Sequence, residues 1–554
     1  MKRAIEHYTV MVLLGALCCY MFFIEKYLGI IFAVVLVFTM YKVMETKDFI
    51  LIIIFFAIGF ILFYSYFSLK VEKNGIYTVT IEENKGFYYD GSYKGRKVKI
   101  LLKGEDQTAI GDIIDLKGSF EEEVIYERGY IGKIYGKEIL YKRNSIFKRI
   151  YEFRKYIIED ISKEIGKEKG ALVNGAAYGV ADDINKESMN EFKTLGIIHV
   201  ISVSGFHLAL VFSILEKIMG YKIALVISFL YVIFTGGKSS TLRAFIMIFF
   251  MKISKKIYKR YSPLGSLSTS ALILMVYKPY FALDIGFHLS YLATLGIILF
   301  YNKLRRKLYK LPKYLNENLS ICLSAQVLTF PYMILIFNNF SLGFLIGNIV
   351  LIPLYSLVVI FAMIYLPLNF IEPVKKILLY AMAGTVEVIY KMAGLLMKIT
   401  PPIIYMSYET GIVFCIFFMA MVFYYKRGKY IGKKLLLISC ISYILISYSI
   451  FPTVVLVREG YEKAYLIKDG FNRELIVLRE GKEKRLRDKF IGFKFIDGKD
   501  GNIKVKLGRK YGILINKDKH YIVTKKDNEL VEQDNENYIY TIINEEIVRI
   551  EGLK

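Results

Sequence analysis

The sequence predicts a polytopic α-helical membrane protein with about 10–13 apolar spans, a small β-barrel domain near its N-terminus and a β-rich domain at its C-terminus. Three observations carry this. The 554-residue chain is 55% hydrophobic and 15% aromatic with mean hydropathy +0.41, too apolar for a soluble domain and ordinary for a chain dissolved in lipid. Apolar runs recur along most of the length, separated by short basic loops. Two stretches, 70–145 and 453–554, replace those runs with short alternating strands punctuated by glycine.

Residues 1–69 hold apolar runs at about 8–24, 28–41 and 49–67, near the ~20 residues that a helix needs to cross a ~30 Å hydrocarbon core. The first follows Met1-Lys2-Arg3 and is read as an uncleaved anchor, because Leu17 before Cys18 fits neither a lipoprotein-type nor an A-x-A cleavage site. Residues 70–145 contain G-I-Y-T-V-T-I, R-K-V-K-I-L-L-K and G-D-I-I-D-L-K-G-S-F, and their length suits a five-stranded barrel. An amphipathic helical stretch follows within 146–170, with Phe147, Ile150, Phe153, Ile157 and Ile161 among basic residues, placed to lie along the membrane surface. Residues 171–452 hold about ten further apolar segments, two of them at 197–219 and 222–235. The tail, 453–554, alternates again between Asp-Gly and Glu-Gly turns.

The formal charge of +25 is not read as a nucleic-acid footprint, since acids and bases nearly balance in 70–147 and in 453–554. The excess lies in loops such as 252–260, 303–313 and 426–434. Their spacing by even numbers of spans puts them on one side, the cytoplasmic one, and both β-domains on the other. Five cysteines (Cys18, Cys19, Cys322, Cys415, Cys440) all lie in apolar runs without C-x-x-C spacing, which excludes a disulfide framework and a thiolate metal site. No cofactor or metal motif is read.

The polar run G-I-I-H-V-I-S-V-S-G-F-H-L-A-L-V at 196–211 is costly in hydrocarbon and marks a candidate site. On an unbroken helix at ~100° per residue, His199, His207 and Ser204 fall at about 0°, 80° and 140°, a stripe fit for a watery passage or a helix-packing seam. Hydrolysis at Ser204-Gly205 is disfavoured: the histidines sit at i−5 and i+3, and Ser202 stands where a G-x-S-G motif needs glycine. A phosphate loop at Gly236-Gly237-Lys238-Ser239-Ser240 fails because position 232 is Val232. Arg243 either snorkels to the outer interface or offers its guanidinium to a phosphate. Asp284 and His288 are spaced for pairing on one helix face, and Gln326 and Asn348 with Pro331 and Pro353 predict interrupted helices. In the barrel, Tyr88, Tyr89 and Tyr93 adjoin Lys94, Arg96, Lys97 and Lys99, the mix of stacking faces and cations that single-strand binding uses.

L-G-I-I-H-V-I-S-V-S-G-F-H-L-A-L-V resembles the signature G-x-x-H-L-L-A-I-S-G-L-H-V of the ComEC competence family. S-S-T-L-R-A-F-I-M at 239–247, D-I-G-F-H-L-S-Y-L-A-T-L-G-I at 284–297, A-Q-V-L-T-F-P-Y at 325–332 and N-I-V-L-I-P at 348–353 follow in the family's order. The resemblance implies an OB-like extracytoplasmic barrel feeding a channel in the bacterial inner (cell) membrane that passes single-stranded DNA inward during natural transformation. It also implies a cytoplasmic ATPase and an outer DNA receptor as partners beside membrane lipid, with oligomeric state left open. His199, Ser202, Ser204, Gly205, His207, Ser240, Arg243, Asp284, His288, Ser290, Gln326, Pro331, Asn348 and Pro353 are then channel or motif positions, none of them catalytic. The family's metallo-β-lactamase-like tail needs an H-x-H-x-D-H cluster, and after Phe451 this chain has the single histidine His520. A separate nuclease is therefore expected. The rival readings are a transporter or membrane enzyme for a small anionic or lipid substrate, and an inactive homologue.

Overall fold

The computed structural model describes residues 4–418 apart from 44–45, 103–107, 146–147, 182, 257–259, 338, 402 and 406–410, then scattered residues between 420 and 442 and strands between 449 and 551. The chain forms two compact units, residues 1–328 with 343–400, and residues 329–342 with 401–554.

The first unit begins with three apolar helices, α1 (Ala4–Ile24), α2 (Lys26–Val43) and α3 (Thr46–Phe67). Without a hydrophobic drive between helices in lipid, close packing holds them. A Cβ on Gly15 would stand 2.0 Å from the Phe56 carbonyl oxygen, and one on Gly59 2.1 Å from that of Val12, so glycines let the α1 and α3 backbones touch.

The predicted barrel follows: β1 (Asn74–Asn84), β2 (Tyr89–Tyr93), β3 (Arg96–Leu102), β4 (Asp112–Glu121) and β5 (Tyr130–Asn144) close in the order β1-β2-β3-β5-β4. The β3–β5 pair is parallel and the others are antiparallel, an OB-like arrangement. Alternation fills it: Tyr77, Val79, Ile81, Val98, Ile100, Ile114 and Leu116 are buried, and the intervening residues face out. Asp112, fully buried at the head of β4, takes Lys142 at 2.8 Å and Lys148 at 2.8 Å and accepts the Ala109 N–H at 2.7 Å. Burial alone would raise its carboxyl pKa; the two ammonium groups and the amide outweigh that and hold it below the usual range.

Lys148 opens α4 (Lys148–Ile165), the predicted amphipathic helix. Its apolar face does not meet lipid alone. Ile157 and Ile161 are fully buried against α5 (Lys167–Tyr178), a helix almost wholly inside the protein, and Asp160 pairs with Lys375 at 2.8 Å. Next come α6 (Lys186–Thr194), α7 (Ile198–Ile201), α8 (Gly205–Phe234), α9 (Ser239–Lys256), α10 (Pro263–Tyr277), α11 (Ile285–Lys307), α12 (Lys313–Phe337), α13 (Phe344–Leu368) and α14 (Glu372–Ile399).

Among the described residues seven helices, α1, α3, α8, α11, α12, α13 and α14, are long and apolar enough to cross a membrane. Of the other predicted segments, 28–41 forms the 18-residue α2, α10 has 15 residues, α9 carries Arg243, Lys252, Lys255 and Lys256, and about half of each of 409–425 and 435–451 lies outside the described residues. One of the seven does not run straight. A Cβ on Gly179 would be 3.3 Å from the Thr235 carbonyl oxygen and 3.6 Å from Val203 Cγ2, so both ends of α8 meet one residue, whereas a straight 30-residue helix would part them by about 45 Å. The chain reverses at Gly220 (φ 77°, ψ 162°), a conformation open to glycine, giving two arms of about 22 Å each. These arms correspond to the apolar segments predicted at 197–219 and 222–235.

In the second unit, Asn339–Phe340 pairs antiparallel with Ile404–Tyr405. The tail is β-rich, as the alternation predicts. Ser449–Glu459 pairs with Glu462–Gly470 within a six-stranded sheet, and a four-stranded sheet runs from Asn502–Leu507 through Leu530–Glu532.

Candidate functional site

The signature segment is not one helix. Ser202 (φ −104°, ψ 142°) and Ser204 (φ −118°, ψ 170°) are extended, which ends α7 and starts α8. The spacing S-G-F-H explains the start, since Nδ1 of His207 accepts the Ser204 N–H at 3.3 Å, as the third residue of a capping box does. The predicted stripe of His199, Ser204 and His207 on one cylinder is therefore corrected. His199 is exposed on α7, Ser204 is a cap, and His207 is fully buried on α8. With Nδ1 accepting, the neutral ring carries its proton on Nε2, which has no partner among the described residues.

Gly205 sets the contact between α8 and α9. A Cβ there would lie 2.7 Å from Arg243 Nη2, 3.1 Å from Ala244 Cβ and 3.3 Å from the Ser240 carbonyl oxygen. Lys238, one residue before α9, donates to the Gly179 carbonyl at 3.1 Å and to Ser202 Oγ at 2.8 Å, tying the signature to the end of α5. Arg243 reaches inward to Thr294 and lies 5.9 Å from the centre of the Tyr291 ring, both on α11. Thr294 donates back to the Ser290 carbonyl at 2.9 Å, and the Tyr291 hydroxyl meets Ser270 at 2.9 Å. Arg243 is thus a packed interior group, and snorkelling does not describe it.

Asp284 and His288, within Coulombic reach of each other, are each also anchored elsewhere. The Asp284 carboxylate caps α11, accepting the Phe287 N–H at 2.6 Å and Ser239 Oγ–H at 3.4 Å. The His288 ring meets the Ala282 carbonyl at 2.8 Å. The N-termini of α8, α9 and α11 consequently converge, Gly205 against Ser240 and Ser239 against Asp284, beside Lys238 and Arg243. Helix N-termini carry partial positive charge, answered at α11 by the Asp284 carboxylate, and Lys238 and Arg243 add two basic side chains to this corner.

The predicted interruptions are not found, because α12 continues through Pro331 and α13 through Pro353. Pro353 cannot donate to the Ile349 carbonyl, and the Tyr314 hydroxyl takes that oxygen instead at 3.4 Å. Asn348 is buried and donates to Phe344 at 2.6 Å; Gln326 is half-buried in α12.

In the barrel the candidate cations are largely committed. Arg96 donates to the Ser65 carbonyl at 2.9 Å and that of Tyr66 at 3.3 Å, closing the C-terminal end of α3. Lys97 pairs with buried Asp90 at 3.2 Å and lies 4.6 Å from the Tyr130 ring centre. Lys99 pairs with Glu123 at 3.3 Å; Lys133 also holds Glu123, and the two ammonium groups keep that carboxyl below its usual pKa. Burial pushes the Tyr130 phenol up, as does its 2.6 Å bond to Asp90. Tyr89 and Tyr93 pack on the barrel, while Lys94 is exposed at the β2–β3 turn over the Tyr93 ring. Tyr88 lies beside Lys99, and Phe87 next to it is 97% exposed.

The barrel docks next to the polar corner. Gly129, entering β5, packs on the Tyr280 ring, its carbonyl accepts the Tyr66 hydroxyl at 3.1 Å, and Tyr126 stacks with Phe23 and Phe63 and meets Phe67 edge-on. Tyr280 lies in the turn Pro279–Ala282 that leads to Asp284. Thr294, Tyr291 and Ser270 escaped the sequence reasoning. The signal for the first two was their i+4 and i+1 spacing from Ser290, whereas Ser270 had no local signal.

Barrel, apolar helices and a polar corner between helix starts define a multi-pass membrane protein with a small OB-like domain. Residues 177–428 match the family model described as Competence protein, so this segment of the chain is similar to that family. The chain is 23% identical over 217 residues to ComE operon protein 3 of Bacillus subtilis, covering 38% of this chain and 27% of that protein. Uncharacterized proteins of Mycoplasma genitalium and Aquifex aeolicus are 28% and 25% identical, over 32% and 37% of this chain and 51% and 50% of theirs. The chain thus spans at most about half the length of these relatives. No solved structure matches.

Proposed function

We propose that this protein conducts single-stranded DNA across the bacterial cell membrane into the cytoplasm during natural transformation. The carrying observation is the docking of the OB-like barrel, through Gly129 on Tyr280, onto the turn that opens α11 beside Lys238 and Arg243. A strand leaving an outer barrel would meet convergent helix N-termini suited to phosphodiesters. The likeness of residues 177–428 to the competence-protein family supports the reading. In it the barrel faces outward, the polar groups guide and none is a catalyst. A cytoplasmic ATPase supplies energy, an outer receptor delivers DNA, and a separate nuclease removes the other strand.

The test is a deletion strain, free of any second copy, assayed for uptake of labelled DNA and complemented with wild type or Arg243→Ala. Loss on deletion, rescue by wild type and failure of the variant are expected. Wild-type uptake after deletion refutes the role. The same basic corner supports a second reading, a small-anion transporter, which would leave DNA uptake untouched by deletion.

A further inference from the structure

A cavity of about 640 Å³ lies where α11 ends and α12 begins, lined by Asn302, Arg305, Arg306, Tyr309, Lys313 and Asn316 among others. Its volume suits a small polar group rather than a polymer. Asn316 is already used as floor: it is buried, donates to the Arg305 carbonyl at 3.1 Å and accepts from Ser320 at 3.2 Å. Arg305 is paired with Glu317 at 3.2 Å. Among the described residues Arg306 and Lys313 have no carboxylate partner, so the lining keeps two uncompensated cations. Cations in the last turn of α11 answer its helix dipole, but Lys313 lies on the next helix, and that account leaves it unexplained.

We infer that this cavity holds the phosphate headgroup of an anionic membrane lipid. Both flanking helices are long and apolar enough to span, which sets the cavity at the level where hydrocarbon meets headgroups. Arg306 supplies a planar fork for phosphate oxygens, Lys313 a point charge, and Tyr309, 71% exposed, an amphipathic ring of the kind that sits at this depth. Leu299 on α11 and Leu315 and Ile321 on α12 are 41%, 37% and 44% exposed within two turns of the lining, a surface for acyl chains that a nucleic acid would leave bare. This separates a lipid from a passing DNA strand at the same charges.

The test is native mass spectrometry of the full-length protein in detergent, titrated with phosphatidylglycerol or phosphatidylcholine. At least a fivefold preference for phosphatidylglycerol is expected, lost in Arg306→Gln/Lys313→Gln and kept in Arg306→Lys/Lys313→Arg. The control Lys255→Gln/Lys256→Gln removes equal charge from the end of α9 and should keep the preference. A double variant that matches wild type, or a control that loses as much, overturns the proposal. Displacement of phosphatidylglycerol by millimolar inorganic phosphate overturns it in favour of a soluble anion. Displacement by a single-stranded oligonucleotide overturns it in favour of DNA. If the Gln variant is not monodisperse, photocrosslinking of a phosphatidylglycerol probe to the wild-type 302–316 segment decides, and labelling elsewhere overturns the proposal.

Discussion

A Cβ at Gly205 would stand 2.7 Å from Nη2 of Arg243, so the guanidinium fills the space that the missing side chain leaves open between α8 and α9. The glycine of the signature therefore has a steric reason that lies on another helix. Gly205→Ala must push Arg243 off Thr294 or part the two helices. DNA uptake is expected to fall at least tenfold at unchanged membrane abundance, measured as labelled DNA taken up per unit of immunoblotted protein. Uptake at the wild-type level would show that this contact has slack.

Arg243 separates shape from charge. Lysine keeps the cation but not the planar fork that reaches Thr294 while facing the Tyr291 ring. Arg243→Lys is expected to retain a small fraction of uptake, Arg243→Ala essentially none. Equal uptake by Arg243→Lys and wild type would mean that only the charge matters.

Legibility from sequence follows the range of the interaction. The barrel was readable because alternation is local, and the two arms of α8 were readable as two apolar segments. The start of α8 was misplaced, since the S-G-F-H cap uses histidine where glutamate or glutamine normally closes the box. Continuity through Pro353 was unreadable, because the group that takes the freed Ile349 carbonyl is Tyr314 on α12. For the same reason the basic stretch of β2–β3 read as a free face: the acid that occupies Lys99 is Glu123, beyond β4.

Asp112 gives a pH dependence. Its folded carboxyl pKa is lowered, so its ion pairs with Lys142 and Lys148 stabilise the barrel fully above the ordinary carboxylate range and progressively less as pH falls through the folded value. Asp112→Asn is expected to cost about 1–3 kcal/mol near neutral pH, discounted for the partly exposed Lys142, and the difference from wild type should shrink on acidification. Thermal unfolding of the full-length protein in detergent at several pH values checks this. A difference that grows toward acid would contradict the sign.

Arg96 and Lys94 lie two residues apart and should fail in opposite ways. Arg96 binds carbonyls at the end of α3 and holds the barrel to the helices, while Lys94 is exposed at a turn with its ammonium over Tyr93. Arg96→Ala is expected to loosen the docking, seen as faster limited proteolysis around 68–74 in the full-length protein. Lys94→Ala should leave proteolysis unchanged and weaken single-stranded oligonucleotide binding. If Lys94 meets one phosphate, the slope of log affinity against log salt should fall by roughly 0.7, the value for one released counterion on a single strand. An unchanged slope with unchanged affinity would take the β2–β3 turn out of the DNA path, and the barrel would then act through its docked end at Gly129 and Tyr280.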